Sequence, residues 1–292
     1  MRIAVTGPDG LLGSELMDCL ESSGHQALPL AEADVDVTDA TALRRKLVEL
    51  KPETVYHLAA YTHVDSAEED VDRVFAVNAF GTYNLCRAAV AVGCRVIYLS
   101  TDYVFDGRTE RPYRPDDEPR PLNVYGMSKL AGEFFTRAYA PSWQIVRSSS
   151  LYGPRGEGFP VKLCRRAAGG TELRVVRDQF SSPTYAPELA RALVELGQHA
   201  DDGIYHLTNT GVVSWYDFAR RIVELLGLPN SVVGVSSSEF AAAARRPARS
   251  ELDTSASREL GVELRPWQTA LEDYLRLRSD QLRELAAGGG KQ

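Results

Sequence analysis

The segment RIAVTGPDGLLG, residues 2–13, joins a short β-branched run to the start of a leucine-rich amphipathic stretch. Its three glycines have the spacing Gly-x-x-Gly-x-x-Gly and lie between the expected strand and the expected helix. Glycine allows a tight turn, a close approach of the backbone to a pyrophosphate and close packing of helix on strand, and the helix N-terminus offers free N–H groups to phosphate. The segment predicts a dinucleotide-binding turn, with an ordinary βα turn as the alternative. We expect it to contact the dinucleotide through Gly7, Asp9, Gly10, Leu11, Leu12 and Gly13.

Strands and helices alternate along the first half of the chain. This alternation predicts parallel βαβ units in a doubly wound, Rossmann-like α/β fold. Runs that are apolar on both faces suit a sheet covered by helices on both sides, and Thr38 is the expected N-cap of the second helix. We expect strands over residues 2–6, 26–30, 54–59, 95–100 and 144–149, and helices over residues 11–22, 39–50, 71–92 and 122–139.

The pattern loosens after about residue 151, where Gly, Pro and Arg become frequent. Shorter helices are expected there over residues 187–198, 215–226 and 267–277, and a strand over 204–208 that returns to the main sheet. We therefore expect a dinucleotide-binding domain and a smaller C-terminal α/β lobe that binds substrate. The domain comprises residues 1–151 plus about 178–208, the lobe about 152–177 and 209–285, and a flexible tail residues 286–292.

Composition excludes several classes of function. The chain of 292 residues has 33 basic and 40 acidic side chains, so it lacks the basic excess that a nucleic-acid partner requires. No apolar run approaches the ~20 residues of a membrane span, and the start has no signal-peptide pattern. The four cysteines have no CxxC spacing, which fits a reducing cytoplasm and predicts neither disulfides nor a metal site.

The end of the second expected strand bears on the choice of cofactor. An acidic residue there binds the 2′-hydroxyl of the adenosine ribose, whereas a nearby Arg accommodates the 2′-phosphate of NADP. Glu32 occupies this place in the sequence and no Arg lies beside it. The sequence therefore favours NADH over NADPH.

Tyr125 and Lys129 lie four residues apart, on one face of an expected helix. A free Tyr has a pKa of about 10, and a nearby Lys ammonium together with an oxidised nicotinamide favours the phenolate and lowers that value. Tyr125 is then a general acid toward a carbonyl oxygen, and Lys129 holds the nicotinamide ribose hydroxyls. The alternative is a pair on a solvated helix surface.

Ser100, Thr101, Asp102 and Tyr103 follow the fourth expected strand. Ligands of open α/β sheets bind outside the carboxyl ends of the strands. The hydroxyl of Thr101 can therefore hydrogen-bond a substrate carbonyl beside the tyrosine. The alternative is a hydroxyl that only caps the strand end.

Taken together, these motifs resemble the extended short-chain dehydrogenase/reductase family, and within it the dTDP-4-dehydrorhamnose reductases. The resemblance extends from residue 1 to about 280, and its most specific segments are STDYVFDG and PLNVYGMSKLAGE. The other matching segments are GPDGLLG, HLAAYTHVDSAEED, VNAFGTYNL, DQFSSPT, GIYHL, SWYDFA and ARRP.

The resemblance implies an NAD(P)H-dependent oxidoreductase that reduces the C4 ketone of dTDP-4-dehydro-β-L-rhamnose, a small-molecule dTDP-sugar. Some relatives form a magnesium-bridged dimer, so a homodimer and Mg²⁺ are expected from the resemblance alone. The implied catalytic residues are Thr101, Tyr125 and Lys129. The implied cofactor side adds Glu32, Asp36, Val37, Ala59, Ala60, Tyr61, Asn78 and Ser100. The implied substrate side comprises Thr62, Val64, Thr101, Asp102, Tyr103 and Ser150, with Arg246 on the nucleotide diphosphate.

The sequence departs from the family pattern at two places. Ser150 stands where the family often has a Trp after the fifth strand, so the sugar loses an aromatic platform, and Ser182 replaces a frequent Gly. Another nucleotide-deoxysugar 4-ketoreductase therefore stays open as an alternative. A dehydratase is disfavoured because Tyr103, not an acid, follows Asp102. An epimerase and a non-catalytic NADP-binding subunit resembling that of methionine adenosyltransferase are further alternatives.

Overall fold

The computed structural model describes residues 1–199, 201–240 and 242–288. Strands and helices alternate through the first half of the chain, as the sequence predicts. In chain order they are β1 (Arg2–Thr6), α1 (Leu11–Ser22), β2 (Gln26–Leu30), α2 (Ala40–Leu50), β3 (Thr54–His57), α3 (Val71–Phe75), α4 (Gly81–Val92), β4 (Arg95–Thr101), α5 (Val124–Tyr139) and β5 (Trp143–Ser148).

The second half contains shorter elements, several of them two-residue strands. They are β6 (Leu151–Tyr152), α6 (Phe159–Ala167), β7 (Glu172–Val176), β8 (Phe180–Ser181), β9 (Thr184–Tyr185), α7 (Ala186–Gly197), β10 (Gly203–His206), β11 (Val213–Ser214), α8 (Trp215–Leu226), β12 (Ser231–Val235), α9 (Ser237–Phe240), α10 (Ser255–Glu259) and α11 (Trp267–Ala286).

The central sheet has six strands in the order β10-β5-β4-β3-β1-β2, and every neighbouring pair is parallel. The chain moves from β1 outward to β2 and then crosses to β3 on the other side of β1. A crevice therefore opens beside the carboxyl ends of β1 and β3, the place where open α/β sheets bind ligands. The predicted fold class, and the predicted return of the strand near residue 204 to this sheet, are confirmed.

Helices cover the sheet on both faces. On one face α1 packs against α7, and the side chains of Leu16, Leu20 and Leu189 are fully buried there. On the other face α2 packs against α4, with Leu43 and Leu85 fully buried. Each such leucine contributes roughly 1.5–3 kcal/mol by leaving water. The sheet is thus a rigid base for the loops at its carboxyl edge.

The predicted cap of α2 and the predicted end of α11 are wrong. Asp39, not Thr38, caps α2, because the Asp39 carboxylate accepts from the N–H groups of Thr41 and Ala42. Helix α11 continues to Ala286, past the predicted end at residue 277, because its later turns bury Leu282 completely.

The predicted flexible tail therefore begins inside a helix at residue 286, and residues 289–292 lie outside the described residues. The division of the chain into two lobes stays a prediction. In the part of the chain that the structure describes, no helix has the length and apolar character of a membrane span.

Candidate active site

The turn between β1 and α1 has the shape that phosphate binding requires. Gly7 has a φ of +65°, and a Cβ on Gly13 would overlap the Gly7 carbonyl oxygen, so only glycine fits at either position. Gly10, the N-cap of α1, brings no side chain to the first N–H groups of the helix. Those donors and the positive end of the helix dipole stay available to an anion.

A cavity of about 460 Å³ opens in front of this turn and has the composition of a dinucleotide site. Asp9 of the predicted set is exposed and is not among the residues that line it. Eleven of the predicted cofactor residues do line it, together with Arg73, which the sequence did not single out. The eleven are Gly7, Gly10, Leu11, Leu12, Gly13, Glu32, Asp36, Val37, Ala59, Ala60 and Tyr61.

A second cavity, of about 340 Å³, holds the predicted catalytic residues. The two cavities meet at the carboxyl ends of β1, β3 and β4, where they share Leu11, Leu58, Ala60, Thr62, Leu99 and Leu151. A ligand in the first cavity thus extends toward the second. The predicted residues that line the second cavity are Thr62, Val64, Ser100, Thr101, Asp102, Tyr103, Tyr125, Lys129 and Ser150.

Helix α5 carries Tyr125 and Lys129 into this cavity. It begins after Asn123, whose side chain accepts from the N–H of Gly126 at 2.8 Å. A Cβ on Gly126 would overlap the Tyr103 carbonyl oxygen, so glycine lets the helix lie close against the end of β4. The alternative of a solvated surface pair is wrong, because Lys129 is only 3% exposed and Tyr125 faces the cavity.

Burial sets the protonation states of this pair. It raises the pKa of Tyr125 to about 12, with the Thr101 hydroxyl opposing the rise. It also lowers the pKa of Lys129 to about 7, with the Glu133 carboxylate opposing the fall. The sequence predicted a lowered Tyr125 pKa. That direction is wrong for the protein alone, because burial penalises the phenolate and leaves the lysine only partly charged at neutral pH.

The hydroxyl of Thr101 lies in a buried hydrogen-bonded group. It donates to an Asp102 carboxylate oxygen at 3.1 Å and accepts from the N–H of Tyr103 at 3.2 Å. Ser250 donates to the other Asp102 oxygen, and burial raises the pKa of Asp102 to about 7. Thr101 therefore caps the strand end, which was the alternative, and also lines the catalytic cavity.

Asn78 supports the site without lining either cavity. It lies in a π-helical turn, Ala76–Phe80, between α3 and α4. Its amide accepts from the Tyr61 N–H at 2.8 Å and donates to the Tyr61 carbonyl at 3.1 Å and to Ser128 Oγ at 2.9 Å. Ser128 in turn donates to the Tyr125 carbonyl at 2.7 Å. Asn78 thus fixes the cavity wall relative to the catalytic helix.

Ser100, which the resemblance assigned to the cofactor side, donates its hydroxyl to Glu133 at 2.6 Å. Glu133 also forms a bidentate pair with the buried Arg147, at 2.9 and 2.7 Å. The shared carboxylate ties β4 and β5 to α5, one turn beyond Lys129. Ser100 therefore positions the catalytic helix in addition to lining the cavity.

Arg246, predicted to bind the diphosphate, does not line the catalytic cavity. Its guanidinium forms a bidentate pair with Asp65 at 2.7 and 3.0 Å, and this contact lowers the pKa of Asp65. Tyr103, which does line the cavity, lies beside the same guanidinium. Arg246 is thus held next to the site by Asp65, and a diphosphate would have to exchange with that carboxylate.

The family is decided by comparison with known proteins. The model of the RmlD substrate binding domain matches residues 1–279. The chain belongs to this family. The resemblance inferred from the sequence motifs is confirmed at this level.

Curated members of the family cover nearly the whole chain. The dTDP-4-dehydrorhamnose reductase of Mycolicibacterium smegmatis is 40% identical over 93% of this chain and 84% of its own length. The spore coat polysaccharide biosynthesis protein SpsK of Bacillus subtilis is 37% identical over 95% and 98%. A crystal structure of Bacillus anthracis dTDP-4-dehydrorhamnose reductase in complex with NADP superimposes with a TM-score of 0.91, at 35% identity over 94% of this chain and 99% of that one.

Ser148, Ser149 and Trp215 line the catalytic cavity and were not predicted from the sequence. The sequence predicted instead that the sugar loses an aromatic platform at Ser150. Ser148 pairs with Thr101 in the sheet, is buried, and its hydroxyl has no hydrogen-bond partner among the described residues. Trp215 begins α8 and lines the same cavity, whereas Ser150 bonds Ser181 at 2.8 Å. The strand-end position was a signal for Ser148. No local signal marks Trp215, which is 65 residues farther along the chain than Ser150.

Thr6 and His57 were also missed. Thr6 Oγ1 accepts from the N–H groups of Leu58 and Ala59, at 3.1 Å each, and donates to His57 Nδ1 at 2.8 Å. Burial lowers the pKa of His57 to about 3, which keeps it a neutral acceptor. The two N–H groups thus bond a side chain instead of a strand, so β3 ends at residue 57 and not at 59.

Metal binding has no structural support in the described ranges, where no three His, Cys, Asp or Glu side chains are grouped to hold an ion. The expected Mg²⁺ stays a prediction from the resemblance.

Proposed function

We propose that this chain reduces the C4 ketone of dTDP-4-dehydro-β-L-rhamnose to dTDP-L-rhamnose, with NADPH or NADH as reductant. The observation that carries the proposal is the junction of two cavities, one at a glycine turn built for phosphate and one lined by Tyr125, Lys129 and Thr101. The names of the curated relatives and the NADP complex of the Bacillus anthracis reductase support the substrate and the cofactor.

A reduced dinucleotide held at the Gly7–Gly13 turn would supply the hydride for the new C4–H bond. Tyr125 donates its phenolic proton to the ketone oxygen, so the C=O double bond becomes a secondary alcohol. Burial holds the pKa of Tyr125 near 12, so the proton is present on the phenol at neutral pH. Thr101 orients the carbonyl oxygen by turning its hydroxyl proton from Asp102 to the substrate. Lys129 lies one helical turn from the phenol to hold ribose hydroxyls.

Another nucleotide-deoxysugar 4-ketoreductase is the second candidate. Ser150 favours it, because a small side chain on the cavity wall admits a differently shaped sugar. A non-catalytic, NADP-binding role is disfavoured by the burial of Tyr125 and Lys129 around one cavity. An enzyme of either sugar specificity has the same chemistry at C4.

We further propose a cytoplasmic location and a homodimer, with no nucleic acid or membrane as partner. The net charge of −7 supports the first exclusion. Sedimentation of the purified protein with and without Mg²⁺ tests the dimer: a two-chain species is expected, and one that dissociates on chelation supports a bridging ion.

The proposed function is tested by nicotinamide absorbance with dTDP-4-dehydrorhamnose generated in situ. We expect the Tyr125→Phe variant to lose roughly 10²–10⁴-fold in rate, because it has no proton to give. Tyr139→Phe, at the exposed end of the same helix, is the matched control and should keep full activity. Dinucleotide binding without turnover by the wild type would favour the regulatory alternative, and NMR of the product separates rhamnose from other 4-reduced sugars.

A further inference from the structure

Arg73 lies on the wall of the dinucleotide cavity, opposite the end of β2. It belongs to the one-turn helix α3, 41 residues beyond Glu32 in the chain. Its Nη2 is 3.5 Å from Glu32 Oε1 and 3.7 Å from Asp36 Oδ2. The guanidinium thus lies where the adenosine ribose of a dinucleotide is expected, since the acidic residue after β2 marks that place.

The guanidinium of Arg73 has donors to spare. The contact to Glu32 is at the long limit of a hydrogen bond and the contact to Asp36 is beyond it, so between described residues these are weak ion pairs. Asp36 instead accepts from the N–H of Thr38 at 2.8 Å. Arg73 is 45% exposed and Glu32 is 83% exposed, so both side chains can rotate when a ligand arrives.

We propose that Arg73 forms the binding site for the 2′-phosphate of NADPH and that Glu32 opposes it, so that this pair sets the ratio of NADPH to NADH affinity. The inference rests on the proposed function, because it requires a dinucleotide in this cavity. A planar guanidinium binds phosphate through paired, charge-assisted hydrogen bonds. Glu32 repels the same phosphate but accepts from a free 2′-hydroxyl.

The sequence alone favours NADH because Arg73 is 41 residues from Glu32 in the chain, and only the fold places the two side chains together. The charged residues that follow β2, at positions 32, 34 and 36, are all acidic, and the cation Arg73 reaches the same place from α3. The site thus offers Arg73 to the 2′-phosphate of NADPH and Glu32 to the free 2′-hydroxyl of NADH. The NADP bound in the Bacillus anthracis relative is consistent with a phosphate-accepting subsite in this family.

The test is equilibrium binding of NADPH and of NADH, followed by nicotinamide fluorescence, to the wild type and to three variants. We expect Arg73→Met to weaken NADPH binding by about 10-fold to 100-fold, because charge-assisted bonds are lost, and to change NADH affinity by less than about 3-fold. Glu32→Gln should shift the ratio toward NADPH. Arg44→Met, an exposed arginine on α2 outside the cavity, is the matched control.

Each outcome separates the inference from the function on which it rests. Suppose that the wild type binds NADPH and that Arg73→Met lowers the affinity for both dinucleotides equally, or for neither. The inference about Arg73 is then overturned, and the proposed reductase function still stands. If the wild type binds neither dinucleotide, the proposed function fails and the inference with it. Fluorescence reads binding directly, so activity with a sugar is not needed.

Discussion

Ser148 and Ser149, at the end of β5, both line the catalytic cavity but differ in their hydrogen bonds. Ser149 donates to the Ser182 carbonyl at 2.7 Å and so joins the end of β5 to the turn between β8 and β9. Ser148 is equally buried, but its hydroxyl has no partner among the described residues and faces the catalytic cavity beside Thr101. A buried polar group without a partner costs free energy, so a ligand that supplies one gains affinity.

We predict that Ser148→Ala raises the KM for the dTDP-sugar about 3-fold to 10-fold, since a hydrogen bond contributes roughly 0.5–1.5 kcal/mol. Its Tm should stay within about 2 °C of the wild type, because no protein hydrogen bond is lost. Ser149→Ala should do the reverse and lower the Tm with little change in KM. Steady-state kinetics and thermal unfolding of both variants decide this. An unchanged KM in Ser148→Ala would remove Ser148 from the substrate side.

The spacing of Tyr125 and Lys129 was enough to predict that they share a helix face, but not their pKa values. Those values depend on burial, which comes from residues far apart in the chain. The close approach of Gly126 to Tyr103 helps bury the pair. A phenol buried in this way keeps its proton, so its role as an acid does not require a lowered pKa.

Among the elements, the βα alternation was predictable because the apolar period changes from two to 3.6 along the chain. The bounds of α1 and β1 follow from the sequence, since glycines mark where one ends and the other begins. The end of β3 was not predictable. The N–H groups of Leu58 and Ala59 donate to the side chain of Thr6 in β1 instead of to the backbone of a neighbouring strand.

The helix expected over residues 71–92 exists, but a π-helical turn at Ala76–Phe80 divides it into α3 and α4. Such turns often lie at functional sites. The turn contains Asn78, whose amide bonds the backbone of Tyr61 on both sides. The spacing of apolar residues cannot show that one helical turn contains an added residue. The sequence therefore predicted a helix over residues 71–92 but not the π-helical turn inside it.

At the scale of the whole molecule, the site is formed by segments far apart in the chain, and no short sequence motif shows that they lie together. Arg73 reaches Glu32 from α3, and Ser250 reaches Asp102 from the loop before α10. Trp215 of α8 lines the same cavity as Ser150. Local motifs predicted the residues that recur in fixed spacings. The residues that join them across the sheet edge depend on topology, and a single sequence does not contain that information.

Two buried histidines make the folded chain sensitive to acid. Burial lowers the pKa of His57 and of His206 to about 3, from an ordinary value near 6.5. Between these values the unfolded chain binds protons that the native chain does not, so the free energy of unfolding falls as the pH drops below 6.5. Asp102 acts in the opposite direction, because burial raises its pKa to about 7 and the native state binds that proton first.

We predict that His206→Gln makes the loss of stability in acid less steep, by up to about 1.4 kcal/mol per pH unit below pH 6. In the native state His206 Nδ1 donates to the Asp253 carbonyl and Nε2 faces the Arg147 guanidinium, which disfavours a second proton. Urea unfolding at pH 7, 6 and 5 measures the difference from the wild type, with the exposed His63→Gln as control. Parallel pH profiles for His206→Gln and the wild type would show that this histidine does not titrate on unfolding.

We propose that the two cavities bring a nicotinamide and the C4 ketone of one dTDP-sugar together at Tyr125. Transfer of deuterium from NADPH labelled at nicotinamide C4 to the sugar tests it most directly, with the product read by ¹H and ²H NMR. We predict dTDP-L-rhamnose with deuterium at C4 and at no other carbon, from one face of the nicotinamide. A product that is unlabelled at C4, or label at another carbon of the sugar, would contradict the account.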